Sequence, residues 1–266
     1  HYCGYRMPLP ACCPSCGAGN IRARGFGTEK IEEELAAFFP EATVGRLDAD
    51  TTRSNRAYGR IVGAFERGET DILIGTQMIT KGFDFGGASL VGILNADNML
   101  NFPDFRAGER AFQIMAQVGG RAGRRSERGT VVIQTTQPDH PVIVQARDGD
   151  YEAMVRSQLA ERKAFFYPPY CRLIAVVFRH RDKAQLYRAA VRFGLGARET
   201  FGRRLLGPEP PPVDRIRGRY LIRFILKIEK ENSFAAAKKL LQEHFDRLHA
   251  LSEFRPVEWT VDVDAQ

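Results

Sequence analysis

Short apolar segments alternate with amphipathic segments along residues 21–149, and this alternation constrains the fold more than any other feature of the sequence. Residues 71–75, 90–94 and 130–134 have the continuous apolar character of strands buried on both faces, and residues 43–47 form a further short strand. Strands that alternate with helices at this spacing predict a compact α/β lobe around a parallel sheet.

Three amphipathic helices are predicted in the same region. The first covers residues 28–39 with Thr28 as its N-cap, and the second ends before Gly68. The third precedes the strand at 130–134 and has these apolar residues on one face: Ala107, Ala111, Ile114, Met115 and Val118.

The pattern changes after Tyr167-Pro168-Pro169-Tyr170. Residues 150–165 are predicted to be helical, and the prolines end this helix because a residue before proline disfavours the α region. Beyond it we predict a strand at 172–179, a helix at 183–200, a short strand near 205–207, a strand at 219–228, a helix at 233–250 and a strand at 257–263. This βαββαβ order is a ferredoxin-like split motif. The predicted domains are 1–20, 21–149, a linker at 150–170, and 171–266.

Composition places the chain among soluble globular proteins. It has 266 residues, of which 44% are hydrophobic and 27% charged, and it lacks both a membrane-length apolar stretch and a secretory signal. We therefore expect a cytoplasmic protein. The formal net charge of +7, with basic clusters at 121–128 and 215–223, is compatible with a polyanionic partner.

Cysteine spacing indicates a metal site near the start of the sequence. Four of the five cysteines lie in the first sixteen residues, and Cys13 and Cys16 have the C-x-x-C spacing that supplies two corners of a zinc tetrahedron. Gly17 lets the chain turn beneath the metal. With Cys3 nearby, we predict that Cys13 and Cys16 bind Zn²⁺; a redox dithiol or unrelated thiols are the alternatives. Cys171 is predicted to be a small buried hydrophobe.

The segment from Gln117 to Arg124 carries the most specific motif. On a helix, Gln117, Arg121 and Arg124 project from one face, and paired guanidinium groups suit the oxygens of a polyphosphate. A solvated basic turn is the alternative. However, Q-x-x-G-R-x-x-R is the sixth motif of superfamily 2 helicases.

Together with this motif, several further segments resemble the primosomal protein N′ (PriA) family of bacterial replication-restart DNA helicases. The resemblance covers essentially the whole chain, with Gly119 as one departure from the usual alanine. The matching segments are 25–29, 48–52, 72–85, 95–97, 103–106, 167–169 and 261–264.

The resemblance implies an ATP-dependent 3′-to-5′ DNA helicase that restarts stalled or collapsed forks and loads the primosome. Its fold would combine the remnant of a zinc-binding insertion, a parallel-sheet RecA-like second helicase lobe and a ferredoxin-like α+β C-terminal domain. It implies ATP with Mg²⁺ as ligands of the intact enzyme and two zinc sites, with Cys3 in one and Cys13 and Cys16 in the other. The implied partners are forked or single-stranded DNA, primosome proteins and single-stranded-DNA-binding proteins, in the nucleoid.

The resemblance also assigns roles to single residues. Gln117, Arg121 and Arg124 would be catalytic, and Gly82 and Asp84 would face the nucleotide. Thr76, Gln77 and Lys81 would meet the DNA backbone. The alternatives are a surface cation for Lys81 and a helix cap for Asp84.

No G-x-x-x-x-G-K-[ST] loop and no Asp-Glu pair of a second ATPase motif occurs in the sequence, so we expect this chain alone to be inactive. One alternative is a non-catalytic zinc and nucleic-acid binding module. A dinucleotide-dependent oxidoreductase is disfavoured, because Gly25-Phe26-Gly27 is not followed by the third glycine of that fingerprint.

A second DNA contact is predicted on the strand at 219–228. Alternation places Tyr220, Ile222, Phe224, Leu226 and Ile228 on one face. Arg217, Arg219 and Arg223 would then lie on the opposite face, where they could bind phosphates. The alternative is a solvated basic face.

Overall fold

A computed structural model describes residues 11–12, 16–17, 19, 27–48, 51–52, 54–76, 88–119 and 129–264. The chain divides into two compact units. The N-terminal unit comprises Met7–Asn101 and Ala107–Met154. Among the described residues, the C-terminal unit comprises 155–264 together with the short segment Phe102–Arg106.

The N-terminal unit contains parallel strand pairs and helices, which confirms a mixed α/β fold. Strand β1 pairs with β2 and β3 pairs with β4, both in parallel. Its elements are α1 (Thr28–Phe38), β1 (Val44–Leu47), α2 (Asn55–Glu66), β2 (Ile72–Gly75), β3 (Leu90–Ile93), α3 (Ala96–Leu100), α4 (Ala107–Gly119), β4 (Thr130–Ile133) and α5 (Pro141–Asp148); α6 (Tyr151–Ala164) runs across the boundary between the units.

Two local predictions for this unit are wrong. The N-cap of α1 is Gly27, because the Thr28 hydroxyl donates to Asp48 Oδ2 (2.7 Å) and does not cap the helix. Strands β3 and β4 are not buried on both faces. Leu90 is 62% and Val132 53% exposed. Exposed and half-buried residues alternate along both strands, which is typical of a strand covered on one face.

The C-terminal unit is built on an antiparallel sheet with the spatial order β6-β8-β5-β9. Its elements are β5 (Cys171–His180), α7 (Lys183–Phe201), β6 (Leu205–Glu209), β7 (Arg215–Ile216), β8 (Arg219–Glu229), α8 (Phe234–His249) and β9 (Glu258–Val263). The two-residue strand β7, which the sequence did not predict, forms a hairpin with the start of β8. Asp182 caps α7 by accepting from the amides of Ala184 and Gln185, and Ser233 caps α8.

One face of this sheet packs against α7 and α8 to form the main core. The predicted alternation of β8 is confirmed, because Ile222, Phe224, Leu226 and Ile228 all point into that core. Its centre is aromatic: Phe178, Phe193, Phe224, Phe245 and Trp259 contact one another edge-to-face or stacked.

The other face of the sheet carries a smaller cluster. Tyr167, Cys171 and Leu173 are buried there, and Phe105 packs against them from the segment Phe102–Arg106. The prediction for Cys171 is confirmed: its side chain is buried, and its Sγ donates to the Phe166 carbonyl oxygen (3.3 Å). Burial raises the pKa of this thiol to about 11, which keeps it protonated and unreactive.

Candidate nucleotide, DNA and metal sites

The carboxyl end of β1 holds a buried carboxylate. Asp48 accepts hydrogen bonds from the Thr28 hydroxyl (2.7 Å) and the Thr51 amide (2.9 Å), and Arg46 Nε lies 3.0 Å from it. The bond from Thr28 is the main reason that the pKa of Asp48 falls to about 2. This carboxylate therefore fixes the loop after β1 to the start of α1.

A second polar cluster joins the carboxyl ends of β3 and β4. Asp97 accepts from the hydroxyls of Thr135 and Thr136 and from the Thr136 amide, and the Thr135 bond is the main cause of its lowered pKa. Asn95, which belongs to one of the family-like segments, adopts the left-handed conformation at φ 52° and donates its amide to the Gln134 side chain. Parallel α/β sheets bind ligands at this edge.

Most of the predicted nucleotide and DNA residues of the N-terminal unit lie outside the described residues. These are Gln77, Lys81, Gly82, Asp84, Arg121 and Arg124. Thr76 is described, and it is exposed directly after β2. Gln117 is half-buried in the last turns of α4, two residues before that helix ends at Gly119.

Of the predicted zinc ligands, Cys3 and Cys13 also lie outside the described residues. Cys16 is an exposed free thiol, and Gly17 after it has φ +72°, a left-handed conformation that glycine adopts readily. In the described part of the chain, no group of three or more His, Cys, Asp or Glu side chains is arranged to hold a metal ion.

The prediction of an arginine face on β8 is wrong for Arg217. The other two arginines, Arg219 and Arg223, lie in the strand but pair with carboxylates. Arg217 does not lie in the strand. With Gly218, it forms the two-residue turn between β7 and β8, in which both residues have positive φ (48° and 76°). Its side chain is exposed at the tip of this hairpin.

Arg219 and Arg223 lie in β8, and both are paired with carboxylates. Arg219 bonds Glu258, which also accepts from Arg179 Nε (2.7 Å). Arg223 Nη2 lies 2.6 Å from Glu209 Oε1, with both side chains about three-quarters buried. Of the three predicted residues, Arg217 is thus the one at an exposed hairpin tip.

A buried lysine escaped the sequence reasoning. Lys227 is 8% exposed in β8, where its Nζ donates to the Phe165 carbonyl oxygen (2.8 Å) and lies 3.6 Å from the centroid of the Tyr167 ring. Burial lowers the pKa of this amine. A lysine flanked by Leu226 and Ile228 in an apolar strand was the available signal, because lysine is rarely buried without a partner.

Positive charge is concentrated in the C-terminal part of the sequence, a feature that the motif-based predictions did not use. Residues 171–266 contain 19 Lys and Arg against 12 Asp and Glu, so the whole formal surplus of +7 lies in this part of the sequence. The remaining 170 residues are balanced. None of the helices among the described residues is long and apolar enough to span a membrane.

Two families match successive parts of the chain. Residues 25–126 match the helicase conserved C-terminal domain, and residues 163–266 match the primosomal protein N C-terminal domain. The first match contains the Asp48 cluster after β1, Asp97 and α4, and the second contains the antiparallel sheet.

Several curated relatives are similar over nearly the whole chain. The replication restart protein PriA of Bacillus subtilis is 41% identical over 93% of this chain, and that of Treponema pallidum is 41% identical over 94%. The Haemophilus influenzae protein of the same name is 34% identical over 100%. The matched region is 31%, 38% and 36% of these relatives, so the chain spans about a third of their length.

Proposed function

Since the chain belongs to the PriA family of replication restart proteins, we propose that it forms the C-terminal part of an ATP-dependent 3′-to-5′ DNA helicase. This helicase restarts replication at stalled or collapsed forks and loads the primosome. The observation that carries the proposal is the order of the two matches, a helicase C-terminal domain followed by a primosomal C-terminal domain.

The fold classes follow from the same proposal. The N-terminal unit is the RecA-like second helicase lobe, supported by its parallel strand pairs. The C-terminal unit is a ferredoxin-like domain, supported by the order β6-β8-β5-β9 with both helices in one core. The cysteine-rich start of the sequence is the remnant of a zinc-binding insertion.

In the proposed reaction, ATP binds to a lobe outside this sequence and contacts Gly82 and Asp84 of this chain. Arg121 and Arg124 stabilise negative charge on the transferring phosphoryl group. Gln117, near the end of α4, belongs to the same catalytic motif. Mg²⁺, when bound, neutralises phosphate charge. The sequence contains neither a G-x-x-x-x-G-K-[ST] phosphate loop nor the Asp-Glu pair of a second ATPase motif, so the chain does not hydrolyse ATP by itself.

DNA contacts are proposed on both units. Thr76, which is exposed directly after β2, contacts the backbone of the translocated DNA strand. Gln77 and Lys81 contact the same backbone. In the C-terminal unit, Arg217 contacts phosphate from the exposed tip of the β7–β8 hairpin. Arg219 and Arg223 belong to the same surface, but each must exchange a carboxylate for a phosphate to contribute. The positive surplus in residues 171–266 supports this surface.

Zinc is proposed at the cysteine-rich start. Cys13 and Cys16 supply one knuckle and Cys3 belongs to the other. The exposed Cys16 thiol and the positive φ of Gly17 fit such a knuckle. The metal would hold the local fold. The proposed partners are forked DNA, primosome proteins and single-stranded-DNA-binding proteins, and the proposed location is the bacterial nucleoid.

The proposal is tested with Arg124→Ala in the full-length protein. We expect this change to lower DNA-stimulated ATP hydrolysis by about 10³-fold or more, because an arginine that stabilises the transition state contributes on that order. DNA affinity should stay near the wild-type value. Arg128→Ala is the matched control, because Arg128 is a basic neighbour outside the Q-x-x-G-R-x-x-R motif.

Normal turnover by the Arg124→Ala protein would remove Arg124 from the catalytic site. A full-length wild-type protein that binds forked DNA without hydrolysing ATP would favour a non-catalytic zinc and nucleic-acid binding module.

A further inference from the structure

The β7–β8 hairpin of the C-terminal unit carries an aromatic ring at its base. Tyr220 lies in β8, directly opposite Arg215 of β7 on one side and His180 of β5 on the other. Residues opposite one another in an antiparallel sheet project from the same face. For Tyr220 this is the face that packs against α7 and α8, because its half-buried ring contacts the main core.

Two cations lie over this ring. Arg215 Cζ is 4.9 Å and Lys183 Nζ 5.7 Å from the Tyr220 centroid. Both distances are within the roughly 6 Å over which an aromatic face attracts a cation. Lys183 is the first residue of α7, and the Leu221 amide closes the hairpin by donating to the Asp214 carbonyl oxygen (2.8 Å). The ring thus brings together a side chain from the hairpin and one from α7.

Neither of these cations is neutralised by a carboxylate. Within residues 129–264, Arg215 and Lys183 are both exposed, and neither forms an ion pair. In contrast, Arg179 and Arg219 on the opposite face of the sheet share Glu258. Two like charges held near each other repel, and an anion that contacts both relieves this repulsion.

The arrangement of the cations fits the phosphates of a DNA backbone. Because Arg215 and Lys183 lie 4.9 Å and 5.7 Å from one centroid, they are at most about 11 Å apart. Each strand of DNA presents a phosphate about every 3.4 Å of helix axis, so one stretch of backbone can contact both. Arg217 lies two residues beyond Arg215, at the exposed tip of the same hairpin. A ring that already orders long side chains lowers the entropy lost when they bind.

We infer that Tyr220 is a positioning residue that holds Arg215 and Lys183 in place as phosphate contacts, so that the hairpin and the start of α7 bind the DNA backbone through three cations, the third being Arg217. This inference rests on the proposed function and adds two residues to the DNA surface proposed there. Tyr220 does not touch DNA; it acts through the two cations beside its ring.

The first test identifies the cations that contact phosphate. Binding of forked DNA to the 266-residue chain is measured by fluorescence anisotropy at several salt concentrations. Arg215→Ala and Lys183→Ala should each reduce the slope of log affinity against log salt by about 0.9, because each removes one phosphate contact. Lys239→Ala is the matched control. Lys239 is an exposed lysine of α8, and its removal should leave the slope unchanged.

The second test separates the positioning role of the ring from its packing in the core. Arg215→Ala should weaken DNA binding by about fivefold in the wild-type background, the upper range for an exposed ion pair. In a Tyr220→Leu background, where Arg215 is no longer held, the same change should cost less than about twofold. Tyr220→Phe keeps the ring and should restore the wild-type cost. A loss of core packing alone would not alter the cost of removing Arg215.

Equal costs of Arg215→Ala in the wild-type and Tyr220→Leu backgrounds overturn the inference. Effects of Arg215→Ala and Lys183→Ala that do not exceed the effect of Lys239→Ala overturn it as well. If Tyr220→Leu does not fold, Tyr220→Met repeats the comparison, because the flexible methionine side chain fills irregular space.

Failure of the proposed function has a different signature. If the wild-type chain binds no forked DNA at low salt, the proposed DNA contact fails. Inorganic polyphosphate, which offers the same anionic oxygens without bases, then replaces DNA in the second test. A smaller cost of Arg215→Ala in the Tyr220→Leu background would still support positioning of the cations by the ring, and equal costs would exclude it.

Discussion

His244 is a histidine packed into the main core of the C-terminal unit. It is 7% exposed, and its Nε2 lies 2.8 Å from the Thr200 hydroxyl. Burial is the main cause that lowers the pKa of this imidazole from its ordinary value of 6.5, and Arg247 adds repulsion. The folded state therefore favours the neutral form of His244 over the protonated form.

This environment predicts a loss of stability in mild acid. Below pH 6.5 the unfolded chain protonates His244 while the folded chain does not, so the unfolded state binds more protons and the free energy of unfolding falls as pH decreases towards the folded-state pKa. Urea unfolding of the 266-residue chain between pH 8 and pH 5 measures this slope. His244→Gln, which keeps a polar group for Thr200 but does not titrate, should show a shallower slope; an identical slope would exclude His244 as its source.

Single residues of the candidate site were predictable only where local spacing decides their position. Strand alternation correctly placed Arg219 and Arg223 opposite the core face of β8. It failed for Arg217, because positive φ at Arg217 and Gly218 closes a hairpin there. The carboxylates that pair with the two strand arginines come from β6 and β9, and such long-range neighbours are not visible in the sequence around β8.

At the scale of elements, Gly207 lets β6 lie against β8. It has φ +105°, and a Cβ atom built on it would lie 2.6 Å from the Arg223 carbonyl oxygen. Gly207→Ala therefore combines a strained backbone with a backbone clash, and we expect it to lower the free energy of unfolding by about 3 kcal/mol or more.

Gly218→Ala is the matched control in the neighbouring hairpin. Gly218 also has positive φ (+76°), but no atom lies within 4 Å of the position that a Cβ would take there. The expected cost is about 1 kcal/mol from the backbone alone. Equal losses for the two variants in denaturant unfolding would show that the contact with Arg223 is unimportant.

The cysteine-rich element gives a prediction about metal. This chain supplies Cys3 to one proposed zinc site and Cys13 with Cys16 to the other, which leaves each tetrahedron short of thiolates. Zinc on the 266-residue chain should therefore be substoichiometric and easily removed by a chelator. Elemental analysis that finds two tightly held ions per chain would disprove this ligand assignment.

The elements themselves were largely predictable from sequence, because apolar periodicity determines long helices and strands. Helices α4, α7 and α8 appear where their apolar faces indicated, within a residue or two. Helices α3 and α5 were missed, since five and eight residues are too short for a clear period. Burial of β3 and β4 was misjudged because an apolar run does not reveal how many neighbours a strand has.

At the scale of the whole molecule, positive charge concentrated in one part of the sequence predicts the salt dependence of DNA binding. Each phosphate that a protein cation neutralises contributes about 0.9 to the slope of log affinity against log salt. Arg217→Ala in the 266-residue chain should reduce that slope by about 0.9, because Arg217 lies at an exposed hairpin tip.

Arg223→Ala provides the comparison. Arg223 is occupied by Glu209, so its removal should change the slope less and lower the free energy of unfolding more. Fluorescence anisotropy with forked DNA at several salt concentrations measures both slopes. Absence of binding at low salt would contradict the proposed DNA contacts of both units, and equal slopes for wild type and Arg217→Ala would exclude the hairpin tip as a phosphate contact.

The inclusion of Phe102–Arg106 in the C-terminal unit means that, over residues 88–119 and 129–264, the chain passes between the units after Asn101, after Arg106 and after Met154. Neither unit is a single stretch of sequence. A proteolytic nick after Met154 would leave Phe105 on the N-terminal fragment and Tyr167 on the other, so that the stack between these two rings would join two separate chains. The two fragments would then behave as a complementing pair that elutes together, and a truncation that begins at residue 155 would expose the face of Tyr167 that Phe105 covers.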